Sequence, residues 1–264
     1  MAIKKRKPHH KPVMANLFDV TNTILVGEKM GPGQVLEKIC NGSFSHIVQS
    51  DSLCFKQELS AAHFMLSRGK QFLLSPIECI LGVEKSTRIT PDFTKKVSPD
   101  SRKADILNEF GNFMNEVKGV RTVWDNAFLC ADEIFTNGTK NAWRKDVKIF
   151  TGPIAFPGEV ELFAAADEKR MIVGCRDSYG RLNVHDVLKQ IYDCYEKGVA
   201  QSIRHGLGGA GIGSFLIFES CVSYYLGVDP GHKTVVCASF PLGISRRAAA
   251  GLTKNIHVLG KGST

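Results

Sequence analysis

The chain has 264 residues, a net charge of +8 and 43% hydrophobic residues, values typical of a globular protein with one large domain or a medium and a small one. It has no apolar run of about 18 residues and no apolar signal-peptide core near its start, which argues against a transmembrane helix and against secretion. Its eight cysteines show no metal-ligand spacing. We therefore expect a cytoplasmic protein with reduced, structural cysteines.

The positive charge is concentrated at the start of the chain. Five lysines and arginines lie within residues 1–14, which leaves a net charge of about +3 for the remainder. This pattern predicts a disordered basic tail that could touch nucleic acid or an acidic partner. No nucleic-acid-binding motif follows it, so we expect no nucleic-acid contact beyond the tail. We also expect no contact with a membrane.

The pattern in residues 15–85 predicts a small α/β segment. Its apolar runs and helical periodicity predict strands at 23–26, 45–48 and 71–74, and helices at 34–39 and 55–67. A connector is expected at 86–100 because that stretch is rich in Thr, Ser, Pro and Lys.

The pattern in residues 86–242 predicts one larger domain, and residues 243–264 are expected to form a loop-like tail. The predicted elements are helices at 101–117, 122–143 and 183–196, a hairpin at 159–166 and 171–176, a helix ending near 221, and strands at 224–228 and 234–240. This order predicts an α+β protein with a two-layer α/β sandwich, whose mixed or antiparallel sheet is covered by helices on one face.

A glycine-rich stretch is the first candidate site. Five glycines lie between Gly206 and Gly213, directly before an apolar helix that starts at Ser214. Glycines allow close backbone approach, and a helix start presents unpaired N–H groups, so the stretch fits either an anion site or a flexible loop.

Two further sets of polar residues accompany it. Glu133, Asn137 and Asn141 are four residues apart and share one helix stripe, which fits a Mg²⁺ and phosphate site or a solvated face. Asp177 ends a predicted buried strand, where a carboxylate can accept a hydrogen bond from an adenine amine or simply start a turn.

These pieces, in this order, resemble the GHKL ATPase superfamily, whose ATP-binding domain is the Bergerat fold. The segment Ala131–Ala142 resembles its N box, Arg176–Gly180 its G1 box, Gly206–Gly213 its G2 box, and Pro230–Leu242 its closing hairpin. The resemblance covers residues 86–242 and is closest to the bacterial anti-sigma-factor serine kinases.

The resemblance implies ATP and Mg²⁺ as cofactors and assigns roles to individual residues. Glu133 would be the general base, Asn137 would coordinate Mg²⁺, and Asp177 would accept from the adenine amine, with Thr234 helping to hold the base. Residues 182–208 would form a lid. The remaining predicted nucleotide-binding residues are Asn141, Tyr179, Gly180, Gly208, Gly209, Ala210, Gly211, Ile212 and Gly213.

The sequence departs from the family at several places. Tyr179 replaces the first glycine of the usual Asp-x-Gly-x-Gly pattern, and its ring could flank the base. Asn141 stands where many members have His or another polar group. Residues 15–85 resemble a degenerate receiver, but Ser75 stands where receivers have lysine, so we expect Asp51 not to be phosphorylated.

Three functions remain open. The leading hypothesis is an ATP/Mg²⁺-binding regulatory protein that binds a sigma factor or an anti-anti-sigma-like regulator and, as an enzyme, phosphorylates a serine. The alternative is a non-catalytic module, nucleotide-dependent or nucleotide-free, that sequesters a signalling partner. A histidine-kinase-like domain ranks last, because no clear helix with a phospho-accepting histidine precedes it. The resemblance also implies a homodimer.

Overall fold

A computed structural model describes residues 23–41, 44–82, 92–143, 159–202, 212–249 and 251–260. The side chains of Asn141, Trp143 and Arg246 are not part of this description. The predicted basic tail at 1–14 lies outside the described residues.

The described strands form one mixed eight-stranded sheet in the order β1-β2-β8-β6-β7-β5-β4-β3. The pairs β1–β2 and β6–β8 are parallel, and the other neighbours are antiparallel. The strands are β1 Ile24–Gly27, β2 His46–Gln49, β3 Phe93–Val97, β4 Val160–Ala166, β5 Arg170–Asp177, β6 Ser223–Asp229, β7 Lys233–Pro241 and β8 Asn255–Leu259. The predicted α+β class with a mixed sheet is confirmed.

The helices agree with most of the predicted positions. They are α1 Pro32–Cys40, α2 Phe55–Ser67, α3 Gly69–Leu74, α4 Pro76–Leu81, α5 Lys103–Glu116, α6 Trp124–Trp143, α7 Val184–Lys197, α8 Val199–Ser202, α9 Gly213–Ser220 and α10 Arg246–Ala249, with a 3-10 turn at Val120–Thr122. Within the described part of the chain, no helix is long and apolar enough to cross a membrane.

Helices cover both faces of the central strands. Leu162 and Ala164 of β4 pack with α1, α5, α6, α7 and α9 on one face, which gives the two layers that the sequence predicts. Phe163 and Ala165, which alternate with them, pack with α2, α3 and α4 on the other face. The expected one-sided covering is therefore wrong, because the N-terminal segment adds a partial third layer. Every residue of β4 is buried, as expected for a strand covered on both sides.

Three predictions of secondary structure are wrong. Residues 71–74, predicted as a strand, belong to helix α3, since a run of four apolar residues does not distinguish the two. The predicted connector contains edge strand β3, whose Thr94 and Lys96 are exposed, and the predicted tail contains β8. Strand β8 lies between β2 and β6, so one sheet contains strands of the segment 15–85, of residues 86–242 and of the tail.

Candidate functional site

A cavity lies where α6, α7 and α9 cover the ends of β5 and β7. The cavity itself has a volume of about 90 Å³, less than sites that enclose a whole drug-sized ligand, so a larger ligand would extend beyond it. Most of its wall is apolar, and the apolar lining comes from Ile134, Leu182, Val187, Ile217 and Val236. The polar groups are few and come from separate elements, namely Asn137, Asp177, Ser214 and Thr234.

The polar end of the cavity is formed by Asp177 and Thr234. They are paired residues of β5 and β7, and both are at least nine-tenths buried. Asp177 Oδ1 accepts hydrogen bonds from the backbone N–H groups of Tyr179, at 2.8 Å, and Gly180, at 3.1 Å. Burial raises the pKa of the Asp177 carboxyl, and these two hydrogen bonds act against the rise.

The Thr234 hydroxyl is a buried polar group that points to a ligand. It lies near enough to the Asp177 carboxyl to favour its charged form, yet its oxygen makes no hydrogen bond of ordinary geometry. Buried hydroxyls without a partner are uncommon, since desolvation without a hydrogen bond is costly. A hydroxyl and a carboxylate side by side offer a donor and an acceptor to one bound molecule.

The loop after Asp177 depends on Gly180. Its φ of +59° is left-handed, and a Cβ atom there would lie 2.1 Å from the carbonyl oxygen of Asp229. Gly231 N–H in turn donates to the Gly180 carbonyl at 3.2 Å. Gly180 therefore joins this loop to the β6–β7 turn, which fixes the position of Asp177.

Tyr179 does not line the cavity. Its ring packs against the core, and the Arg181 guanidinium lies 5.2 Å from the ring centre. Arg181 also donates to the carbonyl oxygen of Ala142 at 2.9 Å, which ties the loop to the end of α6. The side chain that replaces the expected glycine is thus directed to the core and to Arg181.

Helix α6 brings Glu133 and Asn137 to the start of α9. A Cβ atom on Gly213, the first residue of α9, would lie 2.2 Å from Glu133 Oε2 and 3.1 Å from Asn137 Nδ2. Burial and the neighbouring Asp132 charge raise the pKa of the Glu133 carboxyl, and Lys103 opposes this. Lys103 Nζ itself contacts Asp132 Oδ1 at 2.6 Å.

The approach of α6 to the sheet also depends on a glycine. Gly138 lies over Cys175, two residues before Asp177 on the same face of β5, and a Cβ atom there would be 2.6 Å from Cys175 Sγ. This close contact sets the depth of the cavity next to Asn137.

The predicted site residues are partly brought together. Asn137, Asp177 and Thr234 line one cavity, and Glu133 with Gly213 lies at its α9 end, whereas Gly180 supports the loop. Ile212 is the residue before α9. The side chain of Asn141 and all of Gly208, Gly209, Ala210 and Gly211 lie outside the described residues, as does the last part of the predicted lid.

Sequence reasoning missed Ser214 as a lining residue, and it included Leu182 and Val187 only as part of the predicted lid without singling them out. Ser214 is the first polar residue after the glycines and lies at a helix start, and this position could have indicated that it lines the site. Leu182 and Val187 carry no such signal, because apolar residues near an amphipathic helix are expected in any core.

No family model, curated protein or solved structure matches the chain. What the site does must therefore be argued from its geometry. That geometry combines an apolar slot, a buried carboxylate beside an unpartnered hydroxyl, and a carboxylate and a carboxamide at a helix start.

Proposed function

We propose that the cavity binds ATP with Mg²⁺ and that the protein is a regulatory serine kinase with a Bergerat-type ATP-binding fold, similar to the anti-sigma-factor kinases. The observation that carries the proposal is the convergence of Asp177, Thr234 and Asn137 on one cavity, with Glu133 at its α9 end. These residues come from β5, β7 and α6, so their meeting depends on the fold and not on proximity in sequence.

The Asp177 end fits an adenine ring. Adenine presents an amine donor beside a ring-nitrogen acceptor, which matches a carboxylate acceptor next to a hydroxyl donor. Thr234 supplies the hydroxyl that lacks a partner, and the apolar wall provides surface for the base. Gly180 holds Asp177 in place through the loop that it closes.

The α9 end fits phosphates and a magnesium ion. The Asn137 side-chain oxygen is a hard ligand of the kind that Mg²⁺ prefers, and the first N–H groups of α9 have no partners within the helix. Bound Mg²⁺ would neutralise phosphate charge during transfer. Glu133 would hold the incoming serine hydroxyl and take its proton. A sigma factor or an anti-anti-sigma-like regulator, and a homodimer, remain proposals from the resemblance.

ATP binding is tested by calorimetry on the wild type and on Asp177→Asn. We expect the wild type to bind Mg-ATP and the variant to bind at least about tenfold more weakly, because an amide presents a donor to the adenine amine. Asp186→Asn, the same substitution at an exposed position of α7, is the matched control. Failure of the wild type to bind Mg-ATP would contradict the proposal.

The non-catalytic binding module is the second candidate, favoured by Tyr179 in place of the family's glycine. Release of phosphate from ATP, with water in place of serine, separates the two. We expect slow release by the wild type and none by Glu133→Gln. Binding of Mg-ATP without phosphate release would favour the module.

A further inference from the structure

The Glu133 carboxylate rests on the first residue of α9. A Cβ atom on Gly213 would lie 2.2 Å from Glu133 Oε2 and 3.2 Å from its Cδ, so glycine alone leaves room for this contact. The Asn137 amide lies beside the same point, 3.1 Å away. Glycine at position 213 therefore leaves the space in which the carboxylate lies.

The start of a helix attracts negative charge. Helix α9 runs over Gly213–Ser220, and its internal hydrogen bonds begin with Leu216 N–H donating to the Ile212 carbonyl at 3.0 Å. The N–H groups of the preceding residues have no partner in the helix, and the helix dipole adds partial positive charge there. A carboxylate or a phosphate is stabilised at such an end.

A separate observation indicates that a ligand shares this space. Thr234 is 4% exposed, and its hydroxyl lies beside the Asp177 carboxyl without a hydrogen bond of ordinary geometry. It lines the same cavity as Ser214, the second residue of α9. A ligand that contacts both Thr234 and Ser214 therefore reaches the helix start where Glu133 lies.

We propose that Glu133 occupies the phosphate position at the start of α9 in the ligand-free protein, so that nucleotide phosphates bind in competition with it. This inference rests on the proposed function and adds a specificity device to it. Adenosine, which carries no phosphate, binds without moving Glu133. ATP must displace the carboxylate from Gly213 before its phosphates reach the N–H groups at the start of α9.

Lys103 provides a place for the displaced carboxylate. Its Nζ contacts Asp132 Oδ1 at 2.6 Å and donates to Thr136 Oγ1 at 2.7 Å. Thr136 is three residues after Glu133 and neighbours it on the helix surface, and Asp132 directly precedes Glu133. A rotation of the Glu133 side chain away from α9 therefore brings it to a cation that already lies on the same part of α6.

The test compares ATP with adenosine, both without Mg²⁺, by calorimetry at fixed ionic strength. Glu133→Gln removes the charge and keeps the shape, and we expect about three- to tenfold tighter ATP binding, the size of a partly buried charge interaction at a helix end. Adenosine affinity should not change. Glu133→Asp keeps the charge but withdraws it by one methylene, and it should also tighten ATP binding.

Asp125→Asn is the matched control, since it removes a charge from an exposed position of the same helix, two turns before Glu133. Its effect on ATP affinity should be small, because exposed charges are screened by salt. Equal ATP affinity of Glu133→Gln and wild type, or an equal gain in Asp125→Asn, would overturn the inference. Adenosine binding would then leave the proposed function intact. If neither ligand binds to any of these proteins, the proposed function itself fails.

Discussion

At the scale of single residues, Gly180 determines where the buried Asp177 carboxylate lies. Glycine is needed there for two reasons. Its φ is left-handed, and backbone atoms occupy the space that a Cβ atom would need. The carbonyl of Asp229 and the N–H of Gly231 lie within 3 Å of the position of a Cβ atom. Neither is the end of a flexible side chain, so neither can move away without shifting the β6–β7 turn.

Gly180→Ala should therefore be more destabilising than a glycine replacement in open space. Gly243 also has a positive φ, +70°, but a Cβ atom there would meet nothing within 4 Å. We expect Gly243→Ala to lower the free energy of unfolding by about 1–2 kcal/mol and Gly180→Ala by about 3 kcal/mol or more. Urea unfolding of the two variants measures the difference, and equal losses would mean that the loop relaxes freely around Gly180.

The residue types of the site were predictable to the extent that they form a motif. Asp177, Thr234, Asn137 and Glu133 were selected by their order and spacing in the sequence, and the fold brings the first three of them to one cavity. The direction of the Tyr179 ring was not predictable, because it depends on Arg181 and on the core, which are contacts of the folded chain. Sequence spacing determines neighbours along one element but not which side of a loop a side chain takes.

At the scale of elements, β8 joins β2 to β6 through polar contacts. His46 of β2 pairs with His257 of β8, and their Nδ1 atoms are 3.3 Å apart in a fully buried position. Asn255 of β8 accepts a hydrogen bond from Gln49 N–H at 2.9 Å and donates to Ser223 of β6. Strand β8 therefore lies in the interior of the sheet, although the buried side chains of Asn255 and His257 make polar contacts.

This polar character is the reason that the sequence did not predict β8. A buried strand is expected to be a continuous apolar run, but Asn255 and His257 interrupt it. Edge strand β3 was missed for a related reason, since its alternate residues are exposed and charged or polar. In contrast, the β4–β5 and β6–β7 hairpins were predicted closely because their apolar runs are long.

The histidine pair predicts a loss of stability in mild acid. Burial and the nearby His257 lower the pKa of His46 from its usual 6.5 to about 2. Folded His46 therefore stays neutral while the unfolded chain binds a proton, so this stabilisation is complete above the usual pKa and is lost as pH falls below it. The loss approaches about 1.4 kcal/mol per pH unit.

The measurement is urea unfolding of wild type and His46→Leu between about pH 7 and pH 5, a window above the usual pKa of Asp and Glu side chains. The free energy of unfolding of the variant should fall less steeply with acid, by about 1 kcal/mol per pH unit below pH 6. His63→Leu, at an exposed position of α2, should keep the wild-type slope. Identical slopes for all three proteins would show that His46 does not contribute.

At the scale of the whole molecule, one buried carboxylate links the helices of the second face to three strands. Glu58 of α2 is fully buried and accepts a hydrogen bond from Tyr225 of β6 at 2.5 Å. Its oxygens also lie 3.1 Å from His257 Nε2 of β8 and 3.4 Å from an Arg170 nitrogen of β5. Burial alone would raise the pKa of Glu58, but contacts with His257, Arg170 and Tyr225 hold it below its usual value.

Arg170 completes this link. Its guanidinium donates to the carbonyl oxygen of Ile80 in α4 and lies 3.5 Å from Asp167, and only 3% of the side chain is exposed. The layer formed by α2, α3 and α4 is thus fixed to the sheet by charges as well as by apolar packing. No repeated pattern in the sequence indicates the pair, because Glu58 and Arg170 are 112 residues apart.

A double-mutant cycle on Glu58 and Arg170 tests this link. Glu58→Gln keeps the side-chain shape but leaves Arg170 buried without its counter-charge, and we expect a loss of about 3–5 kcal/mol in the free energy of unfolding. Arg170→Met should also be destabilising, because Glu58 then loses a cation. In the double variant neither charge is left unpaired, so its loss should be smaller than the sum by roughly 1–3 kcal/mol.

The matched control is the exposed pair of Lys96 and Glu159, whose side-chain atoms are 2.7 Å apart. Cycling Lys96→Met and Glu159→Gln should give additive effects within experimental error, because water and salt screen an exposed pair. Additive losses for Glu58 and Arg170 as well would mean that the two side chains are not coupled. Apolar packing alone would then hold the second helical layer on the sheet, and the charges of Glu58 and Arg170 would not contribute to it.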